Sequence, residues 1–209
     1  MSQSLENQVD EWAKKIPPDF IGGPQTNKQQ IIAQLIVDND LRTMVEIGVW
    51  RGRTLIPMAI ATGLIGGRTF GIDPYTAKNM AEEELSPQIY ETLNEAIPKI
   101  DFDGVYQELQ SHLSEFPNCT LIRKPAIEAA DEIPSVIDGI HIDGNHDQAF
   151  VESDIKTYLP KVKPMGLIIM DDIDFPGVLA SLHLFDGVAT KVYDGGTWGV
   201  WQKWNNISD

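Results

Sequence analysis

The chain has one cysteine, Cys119, in 209 residues. That scarcity excludes an internal disulfide and any cysteine-rich zinc site. Set in the apolar run Cys119-Thr-Leu-Ile122, the thiol reads as a core residue. Basic residues are also scarce: 16 Lys and Arg stand against 31 Asp and Glu, a formal net charge of −15 at pH 7, with no basic cluster anywhere. Such a surface repels a nucleic-acid backbone, so the expected partner is a small molecule or a protein. No apolar run approaches the roughly 20 residues of a membrane span, and the opening MSQSLENQVDEW lacks the basic start and apolar core of a secretory signal. These absences predict a soluble, cytoplasmic protein with no membrane partner. Internal repeats and low-complexity segments are absent too.

The chain is 42% apolar, enough for a sizeable core, and is most simply one domain over 27–209 preceded by a helical extension over 1–26. Short β-branched or apolar runs occur at Thr43–Ile47, Thr69–Ile72, Thr120–Ile122, Gly139–Ile142 and Leu167–Met170, with helical periodicity between them. That alternation predicts an α/β fold with a parallel sheet covered by helices on both faces. Thr26, with Gln29 three residues on, has the form of a capping box ahead of Ile31, Ile32, Leu35 and Ile36. A later helix is expected from about Gln148 to Tyr158, ended by Pro160. The segment from Val188 to Trp204 is two strand-like runs across Asp194-Gly195-Gly196, an antiparallel hairpin at the sheet edge. Residues 75–117 hold two expected helices and the acidic run Glu82-Glu83-Glu84, more chain than a crossover needs. This insertion reads equally as a solvated helical surface or as a lid.

The most informative stretch is Glu46-Ile-Gly48-Val-Trp50-Arg-Gly52, a turn between a strand and a helix. Gly48 permits a tight turn and close approach of a ligand, and the first amides of the next helix are free for a polar or anionic group. A bulky residue at position 48 is expected to take the ligand's place. The Gly-x-x-x-Gly spacing departs from the dinucleotide fingerprint, and Trp50 argues against a pyrophosphate across the turn. Two further strand patterns end in carboxylates: Gly139-Ile-His-Ile-Asp143 and Gly166-Leu-Ile-Ile-Met-Asp171-Asp172. The carboxyl ends of adjacent parallel strands line one crevice, so Asp143, Asp171 and Asp172 are expected to converge there. Each alone can cap a turn. Together their repulsion is relieved most simply by a hard divalent cation, magnesium first, with manganese or calcium as substitutes. His146, three residues beyond Asp143 on a polar turn, is placed to face the crevice. His141 reads as a structural histidine, and His112 and His183 receive no role. Trp198, Trp201 and Trp204 are core residues or the border of a pocket.

Five parallel strands, a glycine turn after the first and a terminal hairpin resemble the class I S-adenosylmethionine-dependent methyltransferase fold, a Rossmann-like, mostly parallel seven-stranded sheet. The resemblance implies that Glu46, Gly48, Trp50, Gly52 and Thr54 hold the methionine part of the cofactor. It implies that Asp73, closing Gly71-Ile-Asp73, takes the ribose hydroxyls, and that Lys124, Pro125 and Ala126 lie by the adenine, with Asp143 also close. Metal-dependent O-methyltransferases of the catechol type carry a Lys where His146 stands and an Asn where Asp172 stands. The pattern here is more similar to small bacterial sugar O-methyltransferases of macrolide and aminocoumarin biosynthesis. The implied activity is O-methylation of a hydroxylated small molecule, with Asp143, Asp171 and Asp172 holding Mg2+ and His146, at its ordinary pKa of about 6.5, accepting the proton. A nucleotide-binding or hydroxylase-related enzyme of the same fold, or a non-catalytic cofactor-binding protein, are the alternatives. Assembly into a homo-oligomer is left open.

Overall fold

The computed structural model describes residues 4–16, 27–84 and 87–205. Among them seven strands form one sheet: β1 (Thr43–Ile47), β2 (Arg68–Ile72), β3 (Cys119–Ile122), β4 (Ile137–Ile142), β5 (Val162–Met170), β6 (Ala189–Asp194) and β7 (Gly199–Lys203). Their order is β3-β2-β1-β4-β5-β7-β6. The first five run parallel, and β7 pairs antiparallel with both β5 and β6, so the terminal hairpin closes one edge. Each of the five expected parallel strands is present, and β1 has the expected limits.

Period-two alternation assigns the faces. Val45, Ile47, Ile168 and Met170 bury into one core, and Met44, Leu167 and Ile169 into another. On the first face pack α7 (Ala126–Ala129), α8 (Gln148–Tyr158) and α9 (Pro176–Ser181). In α8, Val151, Ile155 and Tyr158 recur at helical spacing and are buried, and Pro160 follows in a short 3-10 turn, as the pattern requires. On the other face lie α1 (Leu5–Ala13), α2 (Lys28–Asp38) and α3 (Leu55–Leu64). α3 is apolar almost throughout because it is wedged between the sheet and these neighbours, with Leu55 to Thr62 all buried. α2 starts at Lys28 with Asn27 at its cap, which makes no side-chain cap bond; Thr26, the expected capping residue, lies outside the described residues. No helix among the described residues is long and apolar enough to cross a membrane.

The segment between β2 and β3 resolves into more pieces than two helices. It contains α4 (Ala77–Met80), α5 (Pro87–Ala96), a 3-10 turn over Ile97–Lys99, and α6 (Phe102–Leu113). α6 buries Val105, Leu109 and Leu113 and is the ordinary crossover helix. Only α4, α5 and their loops are extra. Of the acidic run, Glu83 and Glu84 are exposed and Glu82 is turned inward, while the backbone amides of Glu83 and Glu84 donate to Asp147 at 2.8–2.9 Å and Asn145 donates to the carbonyls of Asn79 and Ala81. The end of α4 and the loop after it are thus latched onto the β4–α8 turn.

The carboxyl ends of the strands are stitched together by single backbone bonds: Gly48 N–H to Ile72, Asp143 N–H to Ile47, Asp171 N–H to Ile142 and Asp73 N–H to Ile122, all 2.8–3.1 Å. Gly48 has φ +80°, and a Cβ there would lie 1.8 Å from the carbonyl oxygen of Asp143. Glycine is therefore required by the approach of β1 to β4, and the obstruction expected from a larger residue falls on the protein's own Asp143 turn rather than on a ligand. Gly66, also left-handed at φ +70°, has nothing within 4 Å of a Cβ. Gly66→Ala should cost only the ~1–2 kcal/mol of left-handed backbone. Gly48→Ala should cost more than that, because backbone must move. Urea unfolding of the two variants checks this, and equal losses would contradict the packing role of Gly48.

Candidate functional site

A cavity of about 800 Å³ opens at the carboxyl ends of β1, β2, β4 and β5. Its lining includes Glu46, Gly48, Trp50, Thr54, Asp73, Pro125, Ala126, Asp143, His146, Asp171 and Asp172, so the expected site residues are brought together with two exceptions. Gly52 is outside the lining. Its φ of +76° closes the turn, and a Cβ there would meet Leu109 of α6 at 2.5 Å. Lys124 is turned away and pairs with Glu132. Trp198 and Trp201 are buried in the cores, and Trp204 is exposed.

The glycine turn is built around an internal anion. Asp73 Oδ2 accepts the amides of Val49 at 3.1 Å and Trp50 at 2.9 Å, and Oδ1 accepts that of Tyr75 at 2.8 Å. The donors expected to await a ligand are in part used by Asp73. Burial raises its pKa, against these three bonds and the Arg123 charge, which lower it. A carboxylate has about four acceptor positions, so roughly one remains for a ligand hydroxyl. Trp50 sits at φ +49°, its carbonyl accepting the Tyr75 hydroxyl at 2.7 Å, and its indole Nε1 is buried without a hydrogen-bond partner.

Strand register explains the next group. Glu46 and His141 are direct partners on β1 and β4, and His141 is opposite Ile169 on β5. Asp143 and Asp171 follow two residues on, so all four side chains share one face. His141 Nδ1 lies 2.9 Å from Glu46 Oε1, while Glu46 Oε2 and His141 Nε2 are buried without partners. Burial holds the His141 pKa well below and the Glu46 pKa well above their ordinary values, the latter helped by the Asp143 charge. α2 packs on this same face, and its first residue, Lys28, reaches in. Lys28 is 3% exposed, contacts the Asp171 carboxylate and lies 3.9 Å from Asp143 Oδ2. Removing one partner of such a buried pair typically costs about 3–5 kcal/mol. No sequence signal singled out Lys28, whose partners are distant in the chain.

The three expected metal carboxylates do not form one group. His141, Asp143 and Asp171 offer donor atoms within 4.8 Å of one another, as do Asp143, His146 and Asp172, with Asp143 shared. Asp171 (5% exposed) is committed to Lys28; Asp172 lies farther out, on a turn with φ +47°. Asp143 has its pKa pushed up to about 6, chiefly by burial and against the Lys28 charge.

His146 differs from expectation. Its Nδ1 is 2.9 Å from Glu82 Oε1, its Nε2 is 3.0 Å from Asp172 Oδ2, and Phe175 packs on the ring at 4.6 Å between centroids. Burial lowers its pKa, but the bonds and charges of Asp172 and Glu82 outweigh it and raise the pKa to about 10. An ordinary imidazole ready to take a proton at neutral pH is not what this arrangement holds; it holds an imidazolium between two carboxylates. The Glu82 partner was hidden because the acidic run looked solvated. Nitrogen-15 NMR of the ring nitrogens checks both histidines: His146 should stay doubly protonated at pH 8, and His141 neutral at pH 6. A His146 titration near 6.5 would contradict the bridged geometry.

Comparison with known proteins adds the following. Residues 45–173, more than half of the chain, match the family model described as a methyltransferase domain. The uncharacterized protein y4gI of Sinorhizobium fredii is 27% identical over 108 residues, 51% of this chain and 10% of that protein. The chain thus spans about a tenth of the length of that curated relative. Among solved structures, the O-methyltransferase NovP superposes with a TM-score of 0.66 at 15% identity, covering 86% of this chain and 80% of its own. The O-methyltransferase TomG of Streptomyces achromogenes, involved in tomaymycin synthesis and solved with S-adenosylmethionine, gives a TM-score of 0.60 at 15% identity, covering 98% and 92%. At these identities the structures establish the shared fold.

Proposed function

The chain belongs to the methyltransferase-domain family, and we propose that it is an S-adenosylmethionine-dependent O-methyltransferase acting on a hydroxyl of a small molecule. The observation that carries this reading is the presence, in one cavity, of the Asp73-braced glycine turn and the Asp143–His146–Asp172 group. The cofactor in TomG supports it. The cofactor would supply a sulfonium methyl that an aligned oxygen takes by in-line displacement.

This chain's residues then have distinct tasks. Glu46 Oε2, buried and unpartnered, is an acceptor for the ammonium of the methionine portion, and Trp50 Nε1, equally unpartnered, is a donor. Asp73 keeps one acceptor position for a ribose hydroxyl, and Pro125 and Ala126 form the wall for the adenine. On the acceptor side, Met80, Ile89, Phe150 and Phe175 give the cavity an apolar flank next to the carboxylates. That flank fits a ring bearing neighbouring hydroxyls, of the sugar or natural-product type. Without an ion, Asp143, its pKa pushed up to about 6, is a stronger base than an ordinary carboxylate and is the group we assign to receive the hydroxyl proton. His146 balances Asp172 and Glu82 and orients both.

The donor set also fits a divalent cation. Asp143 and Asp172 are hard oxygen ligands close enough to share one ion, whereas Asp171 is held by Lys28. An ion such as Mg2+ there would fix two neighbouring acceptor oxygens and lower the pKa of the attacking hydroxyl.

Isothermal titration should show S-adenosylmethionine binding to the parent, weakened in Asp73→Ala by about 1.5–3 kcal/mol per charge-assisted bond lost. No binding to the parent would refute the cofactor assignment. In a screen of hydroxylated metabolites, turnover should disappear in excess chelator and return with Mg2+, while cofactor binding persists. Full turnover in chelator would assign deprotonation to Asp143 without an ion. Asp143→Asn, which takes away an ion ligand or, without an ion, the general base, should lower kcat by roughly 10²- to 10⁴-fold, and an unchanged kcat would remove Asp143 from the chemistry.

A further inference from the structure

We infer that Lys28 is the resident cation of the inner group of His141, Asp143 and Asp171, and that it confines a divalent ion to the outer group of Asp143, His146 and Asp172. The inference rests on the methyltransferase site proposed above and assigns a positioning residue to it.

Three observations carry the inference. The inner group is an assembled nitrogen-and-oxygen donor set, each residue offering an atom within 4.8 Å of the others. Its histidine is fully buried, with Nδ1 facing Glu46 at 2.9 Å and Nε2 left without a hydrogen-bond partner, 3.6 Å from Asp171 Oδ2. A carboxylate behind the far nitrogen and an unused near nitrogen is the arrangement by which metal-ligating histidines are oriented. The second observation is that a cation already stands there: the Lys28 ammonium, 3% exposed, contacts Asp171 and lies 3.9 Å from Asp143. The third is that α2 gives no local reason for it. Lys28 is the first residue of the helix, where the dipole disfavours positive charge, and Asn27 makes no side-chain cap bond. The carboxylates across the sheet, not the helix, account for a lysine at this position.

One ammonium carries one charge and three donors. It satisfies Asp171 and offsets part of the charge on Asp143, yet leaves His141 Nε2 unanswered. An ion in the crevice finds Asp171 engaged by an ammonium, which has no acceptor, and Asp172 engaged at 3.0 Å by His146 Nε2, itself a ligand atom of the outer group, and so has Asp143 and Asp172 as its carboxylate ligands. Removing the ammonium frees Asp171 and opens the inner histidine-containing set.

Cobalt(II) is a suitable probe because its visible bands report nitrogen ligation. Titrated without cofactor, Lys28→Met should bind Co2+ about tenfold or more tightly than the parent, the scale on which neighbours of ligands alter metal affinity. It should also show histidine-dependent bands that Lys28→Met/His141→Ala lacks. Lys28→Arg, which keeps the charge, should match the parent. A folded Lys28→Met that binds Co2+ no better than the parent overturns the inference. If Lys28→Met does not fold, the pair-neutral Lys28→Met/Asp171→Asn decides: its affinity should stay within about threefold of the parent, and a loss of tenfold or more would make Asp171 a ligand. S-adenosylmethionine titration of the same proteins separates the two claims. A parent that binds cofactor while neither it nor Lys28→Met binds Co2+ sinks this inference alone, and a parent that binds no cofactor sinks the methyltransferase reading.

Discussion

Carboxylates crowd the mouth of the sheet, and much of the site is organised by how their repulsion is relieved. Glu46, Asp73, Asp143, Asp171 and Asp172 all line one cavity. Each is compensated differently. Asp73 is wrapped by three backbone amides, Asp171 takes the Lys28 ammonium, and Asp172 takes the protonated His146 ring. Burial holds Glu46 toward its neutral form. Asp143, which belongs to both the inner and the outer group and has its pKa pushed up to about 6, is compensated only in part, by the Lys28 and His146 charges. A partly compensated carboxylate shared by the two groups suits a site that takes a proton or a cation, since buried charge that is already balanced has little to offer a substrate.

The backbone imposes a second constraint on the same place. β1 and β4 come so close at their ends that only glycine fits at position 48, and its neighbour across the gap is Asp143 itself. The turn that shapes the cofactor side and the turn that carries the reactive carboxylate are therefore one rigid unit. Asn145 and Asp147, just beyond, latch the extra segment around α4 and α5, and Glu82 from that segment reaches His146. The wall over the cavity and the charge on the imidazole are linked through these contacts.

What the sequence reveals is what local pattern encodes. Apolar runs ending in Asp, the glycine turn and the hairpin glycines mark strands and their carboxyl ends, and so locate the crevice and most of its lining. What it conceals depends on which distant group ends up opposite a given side chain. Lys28 looks like the solvated start of an amphipathic helix until α2 is laid on the face bearing Asp171. Glu82 looks like surface charge until its loop closes on the β4–α8 turn. For that reason His146 reads as a free imidazole from its own neighbourhood and proves to be a doubly bridged one. Gly52, correctly read as a turn residue, faces α6 rather than the cavity because the crossover helix packs beneath the turn, a relation that spacing alone does not carry.

The most direct measurement is a manganese anomalous difference map from crystals grown with Mn2+ and S-adenosylhomocysteine. The charge balance described here predicts the nucleoside beside the Gly48 turn and a metal peak between Asp143 and Asp172, with Lys28 still on Asp171. A peak ligated by Asp171 with Lys28 displaced, or a nucleoside bound away from that turn, would contradict it.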